Sequence, residues 1–211
     1  SYRAGTAEGP SAILEASYQV VLYDEDFPDA WKAAIAMEEI SEKCRKNSDK
    51  ARKKATRVID ALEAGEEDNS KLQHFRDKVN EACAELRDWV EENTSALLAK
   101  GKLVGLVGGD HSTPLGFMRA LAKIHPSFGI LQIDAHCDLR KAYEGFEFSH
   151  ASIMYNALKL PGVSKLVQVG IRDYCDEEAE YIKSSEGRVK MFGWRGLERG
   201  LIEGQSWKQL C

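Results

Sequence analysis

Four short apolar runs, separated by stretches of helical periodicity, constrain this chain more than any other feature. They lie at residues 102–107, 128–133, 165–171 and 188–192. Runs of this length, flanked by glycine and charge, read as short buried strands. The stretches between them, about 114–124, 151–158 and 176–184, carry helical spacing. Strands alternating with helices predict an α/β fold with a mostly parallel sheet, covered by helices on both faces in three layers. Two short segments come earlier: residues 10–17, with Pro10 in the first turn of a helix, and residues 19–23, a short strand or extended piece.

Between these lies a long polar region. Residues 30–64 carry a thin apolar stripe through Ile40, Cys44, Ala55, Val58 and Leu62, ending at Ala64-Gly65, a helix stop. Residues 68–99 repeat the pattern more densely, through Leu72, Phe75, Val79, Leu86, Trp89 and Val90. The expectation is a helical hairpin at about 30–99, solvated on its outer face, within a single domain spanning 1–211. With 43% hydrophobic and 30% charged residues in 211, a core can form without staples. Folded-surface scaling for this mass gives roughly 9,800 Å² of exposed surface. A net charge of −5 argues against a nucleic-acid-binding domain. No apolar run is long enough for a membrane span, and residues 1–6 lack the apolar core of a signal peptide. The five cysteines form no C-x-x-C pair, which suits free thiols in a reducing cytoplasm.

The chemistry concentrates at two strand ends. Gly108-Gly109-Asp110-His111-Ser112 follows the run ending at Val107, and Asp134-Ala135-His136-Cys137-Asp138 follows the run ending at Ile133. Ligands of open α/β sheets bind at the carboxyl ends of strands. In extended backbone side chains alternate, so Asp134, His136 and Asp138 project to one side and Cys137 to the other. His111 comes from the same sheet edge. Two imidazoles and two carboxylates aimed at one volume suit a divalent ion such as Mn²⁺, with Zn²⁺ or Co²⁺ also matching the donor types. A nucleotide site at Gly108-Gly109 is disfavoured, because the G-x-G-x-x-G spacing is absent and Asp110 would repel phosphate. His74 and His125 lie outside both motifs and read as structural or surface residues.

Gly-Gly-Asp-His-Ser followed by Asp-Ala-His-x-Asp resembles the ureohydrolase family of arginases, agmatinases and formimidoylglutamases. Ser1 to Ile13 is similar to that family's G-T-x-x-G-P-x-A-I segment, and Ser149-His150-Ala151 and Gly170-Ile171-Arg172 match further family stretches. The resemblance implies an arginase-like fold and a binuclear manganese hydrolase that releases urea from a guanidinium group. It implies that His111 and Asp138 ligate one ion and His136 the other, that Asp134 bridges them, and that Asp110 braces the loop. His150 would be the catalytic proton shuttle.

Arginase-type asparagines near these motifs are replaced by Leu139-Arg140 and Glu147-Phe148, which favours agmatine, with arginine and formimidoylglutamate as alternatives. A small cationic guanidino substrate and further copies of the chain are the expected partners, with neither nucleic acid nor membrane among them. The family's later Asp-x-Asp-x-x-Asp-Pro motif is absent from these residues, so the chain is expected to be the middle of a longer enzyme and inactive alone. The competing expectation is a non-catalytic ureohydrolase-fold protein that binds or assembles through its hairpin.

Overall fold

A computed structural model describes residues 5–210; Ser1 to Ala4, which open the family-like N-terminal segment, and Cys211 lie outside the described residues. Three parallel strands form the sheet in the order β1-β2-β3: β1 (Phe128–Ile133), β2 (Val163–Ile171) and β3 (Val189–Gly193). Helix α4 (Pro114–Ile124) leads into β1, α5 (Ile153–Ala157) joins β1 to β2, and α6 (Asp176–Ser184) joins β2 to β3. Two successive crossovers in the same direction put their helices on one face, as the handedness of parallel connections requires. Leu115 and Met118 of α4, Ile153, Met154 and Ala157 of α5, and Leu166 of β2 accordingly close one core. The fold class is α/β with a parallel sheet, as the alternation of apolar runs predicts.

The second face departs from expectation. Helix α7 (Trp194–Ile202) packs against β2 and β3, but Leu131 and Ile133 of β1 remain 65% and 79% exposed. The run at 102–107 is not a strand: it has no ladder partner, and Leu103, Leu106 and Val107 are exposed. Residues 20–23 likewise form no ladder and are exposed. A strand needs a neighbour to take its backbone hydrogen bonds. Among the described residues β1 pairs with β2 alone. The total exposed surface of 14,269 Å² reflects this uncovered apolar area.

The hairpin is shorter than the sequence suggests. Residues 30–33 make one 3₁₀ turn, residues 34–41 are irregular, and α2 spans Glu42–Glu63, with Ser41 Oγ capping Cys44 N–H. The cap marks the later start, since the Ser41 hydroxyl offers an orphan amide of the first turn an acceptor. Gly65, at φ 71, ends α2 with a Glu66 N–H bond back to the Ala61 carbonyl, the closure that glycine permits. Asn69 then caps α3 (Ser70–Ala99) through Lys71 and Leu72 N–H. Val58 and Ala61 of α2, Leu72 and Val79 of α3, and Phe146 from the loop before His150 form a second core. Helix α1 (Gly9–Ser17) starts with Pro at its N-terminus as expected, and α8 (Trp207–Leu210) closes the described chain. No described helix is long and apolar enough to cross a membrane.

Candidate metal centre

Residues 108–113 fold into a tight loop ahead of α4. Asp110 Oδ1 accepts from Ser112 N–H (2.9 Å) and Ser112 Oγ (2.5 Å), and the Asp110 carbonyl accepts from Thr113 Oγ1 (2.8 Å). A Cβ on Gly108 would stand 3.1 Å from the Thr113 side chain, which would have to give by a few tenths of an ångström to admit it. The loop lines an open cleft of about 270 Å³ together with Leu106 and Pro114.

On the other side, the chain leaves β1 at Ile133 and stays tied to β2. Asp134 N–H bonds to the Val169 carbonyl, and Arg172 and Asp173 N–H both bond to the Ala135 carbonyl. Asp138 then takes φ 55, a left-handed conformation that aspartate tolerates better than most residues. Its carbonyl accepts from Met154 and Tyr155 N–H. Buried Glu178 accepts from Leu139 N–H through Oε1 and from Cys175 N–H through Oε2. The bend at Asp138 therefore has its backbone partners on two separate helices.

These constraints bring His111, Asp134 and Asp138 together, with one ligand atom from each lying within 4.8 Å of the others. His111 Nδ1 is 2.6 Å from Asp138 Oδ2 and 3.1 Å from Asp134 Oδ2. The hydrogen bond to Asp138 raises the His111 pKa above its ordinary value against the opposing effect of burial. Two donors at right angles around an octahedral ion of ~2.1 Å bond length sit about 3 Å apart, so this arrangement fits a small divalent cation.

His136 stands at the rim rather than in the cluster. Its side chain is 57% exposed, with Nδ1 3.6 Å from Asp134 Oδ1 and Nε2 3.7 Å from Asp173 Oδ2. Asp134 thus presents one oxygen to each histidine. His150, in a 3₁₀ turn ahead of α5, is half-buried and meets the Tyr143 ring edge-on at 6.0 Å. Burial pushes its pKa down, while the Asp110 and Asp138 charges pull the other way. Cys137 points away from the ligands into the core, fully buried, with Sγ 3.7 Å from Met191 Sδ. His74 and His125 are exposed and distant from the motifs in sequence.

Sequence reasoning missed four residues that shape this site. Gln132 and Gln168 are buried and hold the backbone of residues 136–137, Glu178 holds Leu139, and Asp173 faces His136. The glutamines did leave a signal, since each interrupts an otherwise apolar strand.

A parallel sheet with two carboxylates and an imidazole converging at its carboxyl edge makes this an α/β protein with a candidate metal site. The chain belongs to the arginase family, whose model matches residues 1–203. It is 32% identical over 198 residues to an N(1)-aminopropylagmatine ureohydrolase of Synechocystis, covering 93% of this chain and 54% of the relative. It is 34% identical over 105 residues to an agmatinase of Bacillus subtilis, covering 50% of this chain and 36% of that one. The agmatine ureohydrolase structure of Thermoplasma volcanium superposes with a TM-score of 0.64 at 24% identity, over 96% of this chain and 56% of that one. The chain therefore spans about half the length of the fuller relatives it matches.

Proposed function

We propose that this chain carries part of the site of a manganese-dependent hydrolase that cleaves a guanidinium C–N bond, converting agmatine and water to putrescine and urea. The observation that carries the reading is the convergence of His111, Asp134 and Asp138 on one point at the sheet edge. In this reading His111 and Asp138 hold one ion, His136 holds the other, Asp134 serves both, and Asp110 keeps the 108–113 loop closed. Bound Mn²⁺ supplies an acidified water, and so a nucleophile at neutral pH. His150 is the catalytic proton carrier. Burial lowers its pKa and so favours the neutral imidazole, which can take a proton and deliver it to the departing amine. Agmatine is favoured over arginine by the Leu139-Arg140 and Glu147-Phe148 neighbourhoods, which lack head-group asparagines, and by the names of the relatives. Two dications carry four positive charges, and these four residues offer two carboxylates in return. Their repulsion at a few ångströms is large, so residues 1–211 alone are expected to bind metal weakly and to turn over no agmatine.

The test is urea release with Mn²⁺ from agmatine and from arginine, by the 211-residue chain and by the whole product of its gene. Turnover of agmatine by the gene product, and none by the chain, is the expected result. Activity on arginine but not agmatine would overturn the substrate. Turnover by the chain alone would overturn the charge argument.

A further inference from the structure

Residues 139–149 connect Asp138 to His150, and the middle of this connection is tied to the helical hairpin. Tyr143 and Phe146 pair as a tight antiparallel turn, with Glu144 at φ 55 and Gly145 at φ 84. Both central residues are left-handed, the geometry of a type I′ turn. In α3, Arg76 and Asn80 lie one helical turn apart on one face and take up the backbone of this turn. Arg76, 5% exposed, donates from Nε to the Glu144 carbonyl (2.9 Å), while its guanidinium pairs with Asp68 (2.7 Å). Asn80 donates from Nδ2 to the Gly145 carbonyl (3.2 Å) and accepts from Glu147 N–H through Oδ1 (3.0 Å). Asn156 adds a bond to the Glu147 carbonyl (2.8 Å), and Phe146 is buried in the hairpin core. At the other side of the turn, the Tyr143 ring stacks beneath Arg140 (5.3 Å) and meets the edge of His150.

We infer that Arg76 and Asn80 are positioning residues, which fix the 143–147 turn and through Tyr143 set the place of His150 beside the ligand cluster. A free connection of this length samples many conformations, each carrying an entropic cost to suppress. Clamping its midpoint leaves two short arms, one from Asp138 and one into His150. The hairpin is in this view part of the site's scaffold rather than an external binding arm. The role of His150 as proton carrier rests on the proposed function; the coupling of α3 to His150 does not.

The experiment uses the whole product of the gene, metal-free, with isotope-labelled histidine, the His150 ring resonance being assigned by its loss in His150→Gln. In Asn80→Ala that resonance is expected to move while His74, on the same helix, keeps its own. Amide exchange across 143–147 is expected to rise about tenfold. Lys78→Ala, at a solvent-facing position of α3, should change neither. If Asn80→Ala does not fold, Asn80→Asp keeps the acceptor for Glu147 N–H and replaces the donor to Gly145 with a charged oxygen, and it is read by amide exchange across 143–147 together with the His150 resonance. A lowered melting temperature with an unmoved His150 resonance would make Asn80 merely structural and overturn the inference. No metal or agmatine enters this measurement, so failed urea release leaves it standing, and an unmoved resonance leaves the proposed hydrolysis standing.

Discussion

Gln168 donates through Nε2 to Gln132 Oε1 at 2.6 Å, joining two buried side chains at register-paired positions of β2 and β1. The same nitrogen reaches the Cys137 carbonyl at 2.7 Å, and Gln132 Nε2 reaches the His136 carbonyl at 3.1 Å. Two strand side chains therefore hold the backbone that spaces Asp134 from Asp138. Replacing Gln168 with methionine strands the Gln132 oxygen and the Cys137 carbonyl without a donor. Gln168→Met is expected to cost about 1–3 kcal/mol in urea denaturation and to weaken Mn²⁺ binding. Unchanged metal affinity at that loss of stability would show that the pair supports the sheet and not the ligand loop.

Gly116 offers a test of how closely α3 and α4 approach. In a helix interior, alanine normally gains about 1 kcal/mol over glycine. Here a Cβ would overlap the Arg87 carbonyl oxygen and stand 2.8 Å from Val90 Cβ and 2.9 Å from Glu91 N, all in α3. Backbone cannot yield as a flexible side chain can. Gly116→Ala is therefore expected to reverse sign and destabilise by roughly 1–3 kcal/mol, read from the denaturant midpoint. A gain in stability would contradict the close packing.

What was legible in the sequence follows from what is local. Ala64-Gly65 ends α2 because the left-handed turn is built into glycine, and Pro10 opens α1 for an equally local reason. The runs that became β1, β2 and β3 were readable because each finds a partner among its neighbours. Residues 102–107 have the same apolar character and form no strand, because pairing belongs to the neighbour and not to the segment. The candidate ligands Asp134, His136 and Asp138 were visible from their alternation after Ile133, and His111 from its place after the run at 102–107. The left-handed bend at Asp138 was not, and neither was His136 standing apart from the three converging donors. Both depend on α5, α6 and β2, which close over the loop from later in the chain.

Two of the described cysteines hold their thiols well above the reactive range. Burial pushes the Cys137 thiol up to about 12, with the Glu178 and Asp138 charges adding to it, and pushes Cys83 up to about 11. A thiol of that kind supplies little thiolate at pH 8. A maleimide at that pH is expected to label Cys44 and Cys175 well before Cys83 and Cys137, by about tenfold or more in peptide mass spectrometry. Cys137→Ser should lower stability, because a hydroxyl enters an apolar core beside Met191, while leaving metal content unchanged. A large loss of Mn²⁺ in that variant would place Cys137 among the ligands and overturn this reading.

The two aspartates should fail differently. Asp134 turns one oxygen toward His111 and the other toward His136, whereas the close contact of Asp138 is with His111 alone. In the proposed site, losing the Asp134 charge weakens both ions, and losing the Asp138 charge weakens one. Asparagine is the substitution to use at both positions. It keeps nearly the same volume, and at φ 55 it tolerates a backbone that would strain alanine. Each variant of the gene product would be dialysed against a fixed free Mn²⁺ concentration and its metal counted. Asp134→Asn is expected to lose nearly all bound Mn²⁺, and Asp138→Asn about half. Equal retention in the two variants would remove Asp134 from its shared position and leave a site built around His111 and Asp138.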